Sequence, residues 1–163
     1  MVEKRNPPIF GIPVEVLPVN EDGVPFFMPV VVGKLLENLQ VEGIFRICGK
    51  KKTIEELGVA ALDVNFKITD DITIHDIASF LKQWIRELPT PIITPSIINE
   101  YFKDDTINST KDVLRHLAPV NRKCIAMIFS LLILTSDQSQ VNLMTLPNIF
   151  VCILPSITQN YKD

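Results

Sequence analysis

The sequence predicts an all-α fold, and three observations support this prediction. Residues 73–88 place apolar side chains at the spacing of an amphipathic helix. Residues 119–135 are apolar nearly all round, as in the central helix of a helical domain. Alternation of apolar and polar residues does not persist long enough anywhere to indicate a sheet. With 163 residues, 47% of them apolar, the chain is long enough for one domain with a sizeable core.

Prolines and glycines punctuate residues 7–25, which predicts an irregular opening and not a helix. We assign residues 1–9 to a disordered or arm-like N-terminus and residues 10–163 to the domain. The first helix is expected from about Pro29 to Leu39, with the proline in its first turn. The second is expected to begin at Thr53, because a glutamate follows three residues later, as in a capping box.

The clearest helical pattern runs from about Thr73 to Leu88. A cap of Thr73 and Asp76 starts it, and Pro89 ends it. Lys82 and Arg86 lie one turn apart on the side opposite the apolar face. From this helix alone, a solvated polar face is the favoured interpretation. The apolar face carries Ile77, Leu81, Trp84 and Leu88, and the opposite face carries His75, Ser79, Lys82 and Arg86.

The C-terminal half continues the helical pattern. Short helices are expected around residues 96–102 and 110–117, followed by the long apolar helix of residues 119–135. A polar loop over residues 136–140 then precedes a last helix near residues 145–153, with Pro147 in its first turn.

Composition excludes several functional classes. The 16 basic and 19 acidic residues give a net charge of −3, which argues against a dedicated nucleic-acid binder. Cys48, Cys124 and Cys152 are scattered, which is typical of buried reduced thiols in an intracellular protein. With two histidines, a metal cluster is not expected. No secretory signal is visible, and the apolar run of residues 124–134 is too short to span a bilayer, so we expect a soluble cytoplasmic domain.

No self-contained active site is apparent. The glycines at residues 43 and 49 are spaced one residue too far apart for a phosphate-binding P-loop, and Lys51 occupies the position of its Ser or Thr. The GxSxG and HExxH motifs are absent. Paired carboxylates lie at predicted helix starts, where the helix dipole explains them better than catalysis does.

Arg46 is the most informative residue of the chain. It lies among bulky apolar neighbours between Gly43 and Gly49, which suggests a firmly anchored loop with one projecting guanidinium. Such an arginine suits recognition of phosphate charge, because its planar fork stays ionised and donates several hydrogen bonds. Taken alone, the pattern still favours a structural arginine that pairs with a carboxylate. Lys50, Lys51 and Lys52 follow the loop, and an exposed solvated cluster is the default interpretation for them.

Several motifs, in matching order along residues 10–157, resemble the GTPase-activating domain of Rho-family small GTPases, the RhoGAP family. Residues 43–49 (GIFRICG) are similar to its GIFRxSG signature, with Cys48 in place of the usual serine. Residues 75–91 resemble the family's histidine-led helix with its LKxxLRELPxPL segment. Residues 142–148 (NLMTLPN) and Pro155 resemble its NKMTxxNLAxxFGP segment, and residues 10–13 and 24–25 fit its opening.

The resemblance implies an all-α bundle that acts on a GTPase. Arg46 would be an arginine finger inserted in trans into the nucleotide site of a GTP-bound Rho, Rac or Cdc42-type protein. Lys82 and Arg86 would support the finger loop and line the GTPase-facing surface, and Asn148 would contact the switch regions. The domain would hold no cofactor or metal of its own, because GTP and Mg²⁺ are bound by the partner.

Departures from the family pattern leave alternatives open. Leu143 replaces the family's lysine and Leu154 its glycine, and the chain ends at Asp163, where the family usually continues into a further helix. A catalytically weak GTPase-binding or scaffold domain of this fold is therefore the competing interpretation, and a helical adaptor that binds no GTPase is a more distant one. Recruitment to membranes, together with the GTPase or through the lysines of residues 50–52, also stays open.

Overall fold

The computed structural model describes residues 8–97 and 107–159. Within these ranges the secondary structure is helical, with one isolated bridge between Val19 and Pro25 and no strand, so the all-α prediction is confirmed. The helix expected around residues 96–102 lies largely outside the described residues. A 3-10 helix, Val14–Val16, comes first, followed by α1 (Phe27–Leu36), α2 (Lys51–Ala60), α3 (Ile74–Arg86), α4 (Ile107–His116), α5 (Pro119–Asp137), α6 (Ser139–Asn142) and α7 (Leu146–Thr158).

Helix α3 forms the centre of the packing. It contacts α1, α2 and α7, and its residues from Ile77 to Leu81 and at Trp84 and Ile85 are buried. The Phe27 ring of α1 packs edge-on against Trp84, with 4.9 Å between ring centroids. Burying an aromatic side chain of this size stabilises the fold by roughly 2–3 kcal/mol, so this face of α3 fixes where its opposite, polar face points.

Helix α5 is less central than its apolar composition predicts. One face is buried, but Ile133 and Leu134 are 51% and 44% exposed. Among the described helices, α5 is long and apolar enough to cross a membrane by length and composition alone. This is weak evidence, because the core helix of a water-soluble domain can meet the same criterion. Here α5 packs through Ile125, Ile128 and Leu132 against the rest of the core.

The start of α3 follows the predicted capping box. The Asp76 N–H donates to Thr73 Oγ1 over 3.2 Å, and the Thr73 N–H donates to Asp76 Oδ2 over 3.1 Å. The predicted start of α2 is wrong: the helix begins at Lys51, and no side chain caps it. The cause is tertiary, because the Lys50 N–H donates to Asp76 Oδ1 over 2.6 Å, which turns the chain into the helix before Thr53.

Three other boundaries also differ from the prediction. Helix α1 begins at Phe27, which leaves Pro29 in the first turn as expected. The expected polar loop of residues 136–140 is partly helical, since α5 extends to Asp137 and the single turn α6 follows. Helix α7 continues through Pro155 to Thr158. These shifts matter for the site because α6 brings Asn142 into the interior.

Candidate functional site

The loop that carries Arg46, residues 43–49, is anchored by its first half. We call it the arginine loop. Ile44 and Phe45 are fully buried, whereas Arg46 and Ile47 are exposed. Phe45 has a φ of +69°, a conformation that costs a side-chain-bearing residue about 1–3 kcal/mol. Burial of its ring offsets this cost by about 2 kcal/mol, so the core holds the loop in a conformation that it would rarely adopt alone.

Backbone hydrogen bonds close the arginine loop around Gly43. The Arg46 N–H and the Ile47 N–H donate to the Gly43 carbonyl over 2.8 and 2.9 Å. The Gly43 N–H donates in turn to the Asn142 carbonyl over 2.8 Å. Gly43 also has a φ of +69°, and a Cβ there would lie 2.6 Å from Ile47 Cδ1. The Ile47 side chain is exposed and can move aside, so glycine is needed at this position chiefly for its backbone conformation.

The polar face of α3 holds the loop from the other side. Lys82 Nζ donates to the Phe45 carbonyl over 2.6 Å, and the Gly49 N–H donates to Ser79 Oγ over 2.9 Å. Asp76 adds the bond to Lys50 N–H described above. The interpretation of this face as solvated is thus wrong for Ser79 and Lys82, because the arginine loop covers them. Lys82 lies beside the loop as the family resemblance implies.

The close approach of the loop to α3 explains Gly49. A Cβ at Gly49 would lie 2.5 Å from the Cα of Asp76 and 2.8 Å from the carbonyl oxygen of His75. These are backbone atoms of a packed helix and cannot move aside without moving the helix. Glycine is therefore needed at residue 49 because the loop passes close to α3. Its backbone conformation does not require glycine, since its φ is not in the left-handed region.

Asp76 links helix capping to loop position. Burial alone raises its pKa, but hydrogen bonds from the Lys50 N–H and from the hydroxyl and N–H of Thr73 hold the pKa of Asp76 below the usual value. A depressed carboxyl pKa contributes stability that is fully present above the unfolded-state value of about 3.9 and is lost as pH falls through the folded-state value. The contribution is therefore present at neutral pH and disappears in acid.

We expect Asp76→Asn to lower the free energy of unfolding by about 1–3 kcal/mol at pH 7, because bonds to a carboxylate are replaced by bonds to a neutral amide. The difference between variant and wild type should shrink as the pH is lowered below about 4. Urea unfolding of both proteins between pH 7 and pH 3 measures this directly. An exposed aspartate, Asp70→Asn, is the matched control. A deficit that stays constant over the whole range would contradict the charge-based explanation.

The guanidinium of Arg46 has no partner within the described part of the chain. The residue is exposed, and no hydrogen bond or ion pair joins its side chain to another described residue. The interpretation of Arg46 as a structural arginine paired with a carboxylate therefore finds no support in these ranges. An unpaired arginine on a loop braced from two sides is suited to bind an anion supplied from outside.

Sequence comparison identifies the fold family. The profile of the RhoGAP domain matches residues 25–162. The chain belongs to the RhoGAP domain family. Rho GTPase-activating protein gacA of Dictyostelium discoideum is 30% identical over 154 residues, which cover 91% of this chain and 45% of that protein. The Drosophila melanogaster Rho GTPase-activating protein conundrum is 28% identical over 82% of this chain and 24% of its own length. The chain thus spans less than half the length of these relatives.

Solved structures agree on the fold of this RhoGAP domain. Human Rho GTPase activating protein 15 superposes with a TM-score of 0.84 at 24% identity, covering 98% of this chain and 82% of the other. The BH domain of Graf, described as the GTPase regulator associated with focal adhesion kinase, gives a TM-score of 0.72 at 21% identity, over 88% of this chain and 82% of its own. The predicted RhoGAP-like helical fold is confirmed.

Arg86 and Asn148 lie apart from the hydrogen bonds that brace the arginine loop of this RhoGAP domain. Arg86 is the last residue of α3 and Asn148 lies in the first turn of α7, and both are exposed. Neither side chain has a hydrogen bond or ion pair with another described residue. Lys82 is therefore the one of the three predicted accessory residues that contacts the loop, and the other two are free to meet a partner.

Sequence reasoning missed Asn142 and Ser79 as loop-positioning residues. Asn142 was noted only as part of the NLMTLPN motif, whereas it is fully buried. Ser79 was placed on a solvated face. Their residue types alone gave no signal of these roles, because the bonds join segments distant in the sequence.

The expectation that all three cysteines are buried is wrong for Cys48. Cys124 is buried, and burial raises its pKa to about 12, while Cys152 is partly buried. Cys48 is exposed because Ile44 and Phe45 take the core positions of the arginine loop. Among residues 8–97 and 107–159, no group of three or more potential metal ligands comes together.

Proposed function

We propose that this RhoGAP domain accelerates GTP hydrolysis by a Rho-family small GTPase, with Arg46 as an arginine finger provided in trans. One observation carries the proposal: an exposed guanidinium without a hydrogen-bond or ion-pair partner in the described ranges is carried by a backbone fixed by α3 and by Asn142. Membership of the family and relatives named Rho GTPase-activating proteins support the reaction class and the partner class.

The chemistry needs one cation at a defined place. During phosphoryl transfer, negative charge develops on oxygens of the nucleotide held by the GTPase, together with its Mg²⁺. The Arg46 fork would donate hydrogen bonds to these oxygens and help to order the glutamine and attacking water of the GTPase. Electrostatic stabilisation works best when the donor is positioned in advance, and the bonds to the Phe45 and Gly43 carbonyls provide that positioning. In this proposal the chain would supply one side chain to an active site whose other groups belong to the GTPase.

The other predicted residues would act in two different ways, by positioning the arginine loop or by contacting the GTPase. Lys82 would keep the carbonyl that precedes Arg46 in place. Arg86 and Asn148, which are exposed and free of partners in the described ranges, would make direct contacts with the GTP-bound partner. The leucines at residues 143 and 154 are also exposed, at 53% and 40%, so the partner would meet apolar surface where the family pattern has lysine and glycine.

Single-turnover GTP hydrolysis by purified Rho, Rac and Cdc42 proteins, each with and without this chain, tests the proposal. At saturating chain we expect acceleration on the order of 10³-fold or more for at least one of them. Binding to a GTP-bound protein without acceleration would support the scaffold alternative. Absence of both binding and acceleration with all three would overturn the proposal.

Replacement of Lys82 by methionine should reduce the acceleration by about tenfold, because loss of one hydrogen bond to the loop is worth about 1–2 kcal/mol. The loss should be similar at low and high salt, since the bond is internal to the domain and a surface charge effect would be screened. Lys51→Met is the control: it removes the same charge from a lysine whose side chain is 91% exposed. A loss that vanishes at high salt would instead assign Lys82 to direct electrostatic contact with the GTPase.

A further inference from the structure

We infer that Asn142 is a positioning residue for the arginine finger, acting on Arg46 through the backbone of Gly43. This inference rests on the function proposed above. Asn142 is fully buried, although its sequence neighbours Val141 and Leu143 are half-exposed. It lies next to the arginine loop, because its carbonyl accepts a hydrogen bond from the Gly43 N–H. Its role follows from a continuous set of hydrogen bonds.

The side chain of Asn142 fixes three backbone segments. Its Nδ2 donates to the Leu39 carbonyl and to the Thr135 carbonyl, each over 2.8 Å. Its Oδ1 accepts from the Met144 N–H over 2.8 Å. Both amide hydrogens and the amide oxygen are thus used, as a buried amide requires. Asn142 therefore joins the chain after α1, the last part of α5 and the segment that leads into α7.

The backbone of Asn142 extends this arrangement to Arg46. The Asn142 carbonyl accepts from the Gly43 N–H over 2.8 Å, and the Gly43 carbonyl accepts from the Arg46 N–H over 2.8 Å. Two backbone hydrogen bonds in series therefore connect the carbonyl of this buried residue to the peptide group of the finger. Lys82 holds the opposite side of the same peptide unit through the Phe45 carbonyl. Arg46 is thereby held between α3 and the C-terminal end of α6.

The position of Leu39 strengthens the case. Leu39 lies four residues before Gly43, on the stretch that leads from α1 into the arginine loop. Asn142 binds this stretch with its side chain and the loop itself with its carbonyl. Loss of the amide would remove the bonds to Leu39, Thr135 and Met144 that hold the Asn142 backbone in place. The Asn142 carbonyl would remain, but it and the Gly43 N–H bonded to it could then shift, and the first turn of the loop with them. Displacement of a catalytic group by about 1 Å can cost on the order of 10²-fold in rate.

The test compares Asn142→Ala and Asn142→Ser with Ile128→Val. Ile128 is the control, because its apolar side chain is fully buried in the core and takes no part in the hydrogen bonds that join Asn142 to Arg46, so its truncation should destabilise the fold without releasing the arginine loop. Two affinities are measured for each variant: one for the GTP-bound GTPase and one for the GDP-bound GTPase with aluminium fluoride, which mimics the transition state. Their ratio is independent of the fraction of folded protein and reports on the finger.

We expect the preference for the transition-state complex, and the maximal hydrolysis rate with it, to fall 10- to 100-fold in the Asn142 variants. Affinity for the GTP-bound form should change less than threefold, and Ile128→Val should keep the wild-type preference. An unchanged preference in a folded Asn142 variant would overturn the inference while leaving the proposed function intact. Absence of acceleration by the wild type would refute the proposed function itself.

Amide hydrogen exchange of the wild-type domain gives an independent measurement that needs no variant. The Gly43 and Arg46 amides should exchange as slowly as amides of α3, because they donate the two hydrogen bonds that connect Asn142 to Arg46. Fast exchange at Gly43 would overturn the inference even if the Asn142 variants fail to fold.

Discussion

Arg46→Ala is expected to remove most of the acceleration of GTP hydrolysis. The hydrolysis rate with the variant should be about 10³- to 10⁵-fold lower than with the wild type, which corresponds to a loss of roughly 4–7 kcal/mol of barrier lowering. Binding to the GTP-bound GTPase should remain measurable, because the finger acts on charge that develops in the transition state. The free energy of unfolding should change by less than about 0.5 kcal/mol, since the side chain is exposed and without partners in the described ranges.

Two controls sharpen this measurement. Arg46→Lys keeps the positive charge and removes the planar fork, so it should recover only a small part of the acceleration. Arg115→Ala removes an arginine of α4 that is also mostly exposed and that bonds Asp112 over 3.2 Å, and it should leave the acceleration unchanged. Acceleration that survives in Arg46→Ala would refute the finger assignment. Equal loss in Arg115→Ala would point to a general effect of charge.

Much of the fold could be predicted because it depends on local pattern. The apolar spacing around Ile77, Leu81 and Trp84 gives α3, and the capping box at Thr73 gives its first turn. The start of α2 could not be predicted in the same way. Thr53 and Glu56 have the local signature of a cap, but the bond from Lys50 N–H to Asp76 starts the helix earlier. A contact between residues distant in sequence outweighs a local preference there.

The candidate site also combines features that the local sequence predicts with features that depend on tertiary contacts. The glycine-bounded motif around Arg46 predicted an anchored loop with a projecting guanidinium. The structure has the anchored loop, with Ile44 and Phe45 buried and Arg46 exposed. The left-handed φ of Phe45 and the burial of Asn142 were not predictable from the residue types, because each depends on contacts with residues distant in the sequence, Lys82 for Phe45 and Leu39 for Asn142. The functional roles of Arg46, Arg86 and Asn148 stay predictions until a partner is tested.

Gly49→Ala should be the most damaging single-methyl change in the arginine loop. The added Cβ would lie 2.5 Å from Asp76 Cα and 2.8 Å from Asp76 Oδ1, so the loop must move away from α3. That movement would break the bonds from Gly49 N–H to Ser79 and from Lys50 N–H to Asp76. We expect the free energy of unfolding to fall by about 2–3 kcal/mol and the acceleration of hydrolysis to fall at least tenfold at temperatures where the domain is folded.

Gly33→Ala is the matched control, because it adds the same methyl group to a glycine inside α1 where nothing lies within 4 Å of the new Cβ. It should raise the free energy of unfolding by about 0.5–1 kcal/mol, since alanine is the better helix former. Thermal unfolding and single-turnover hydrolysis of the two variants would separate the effect of a steric clash with α3 from the effect of replacing glycine by alanine on the backbone. A Gly49→Ala protein with wild-type stability and activity would mean that the loop does not need its close contact with α3. The bracing of Arg46 would then depend on the burial of Phe45 and on the bonds from Lys82 to the Phe45 carbonyl and from Gly43 N–H to Asn142.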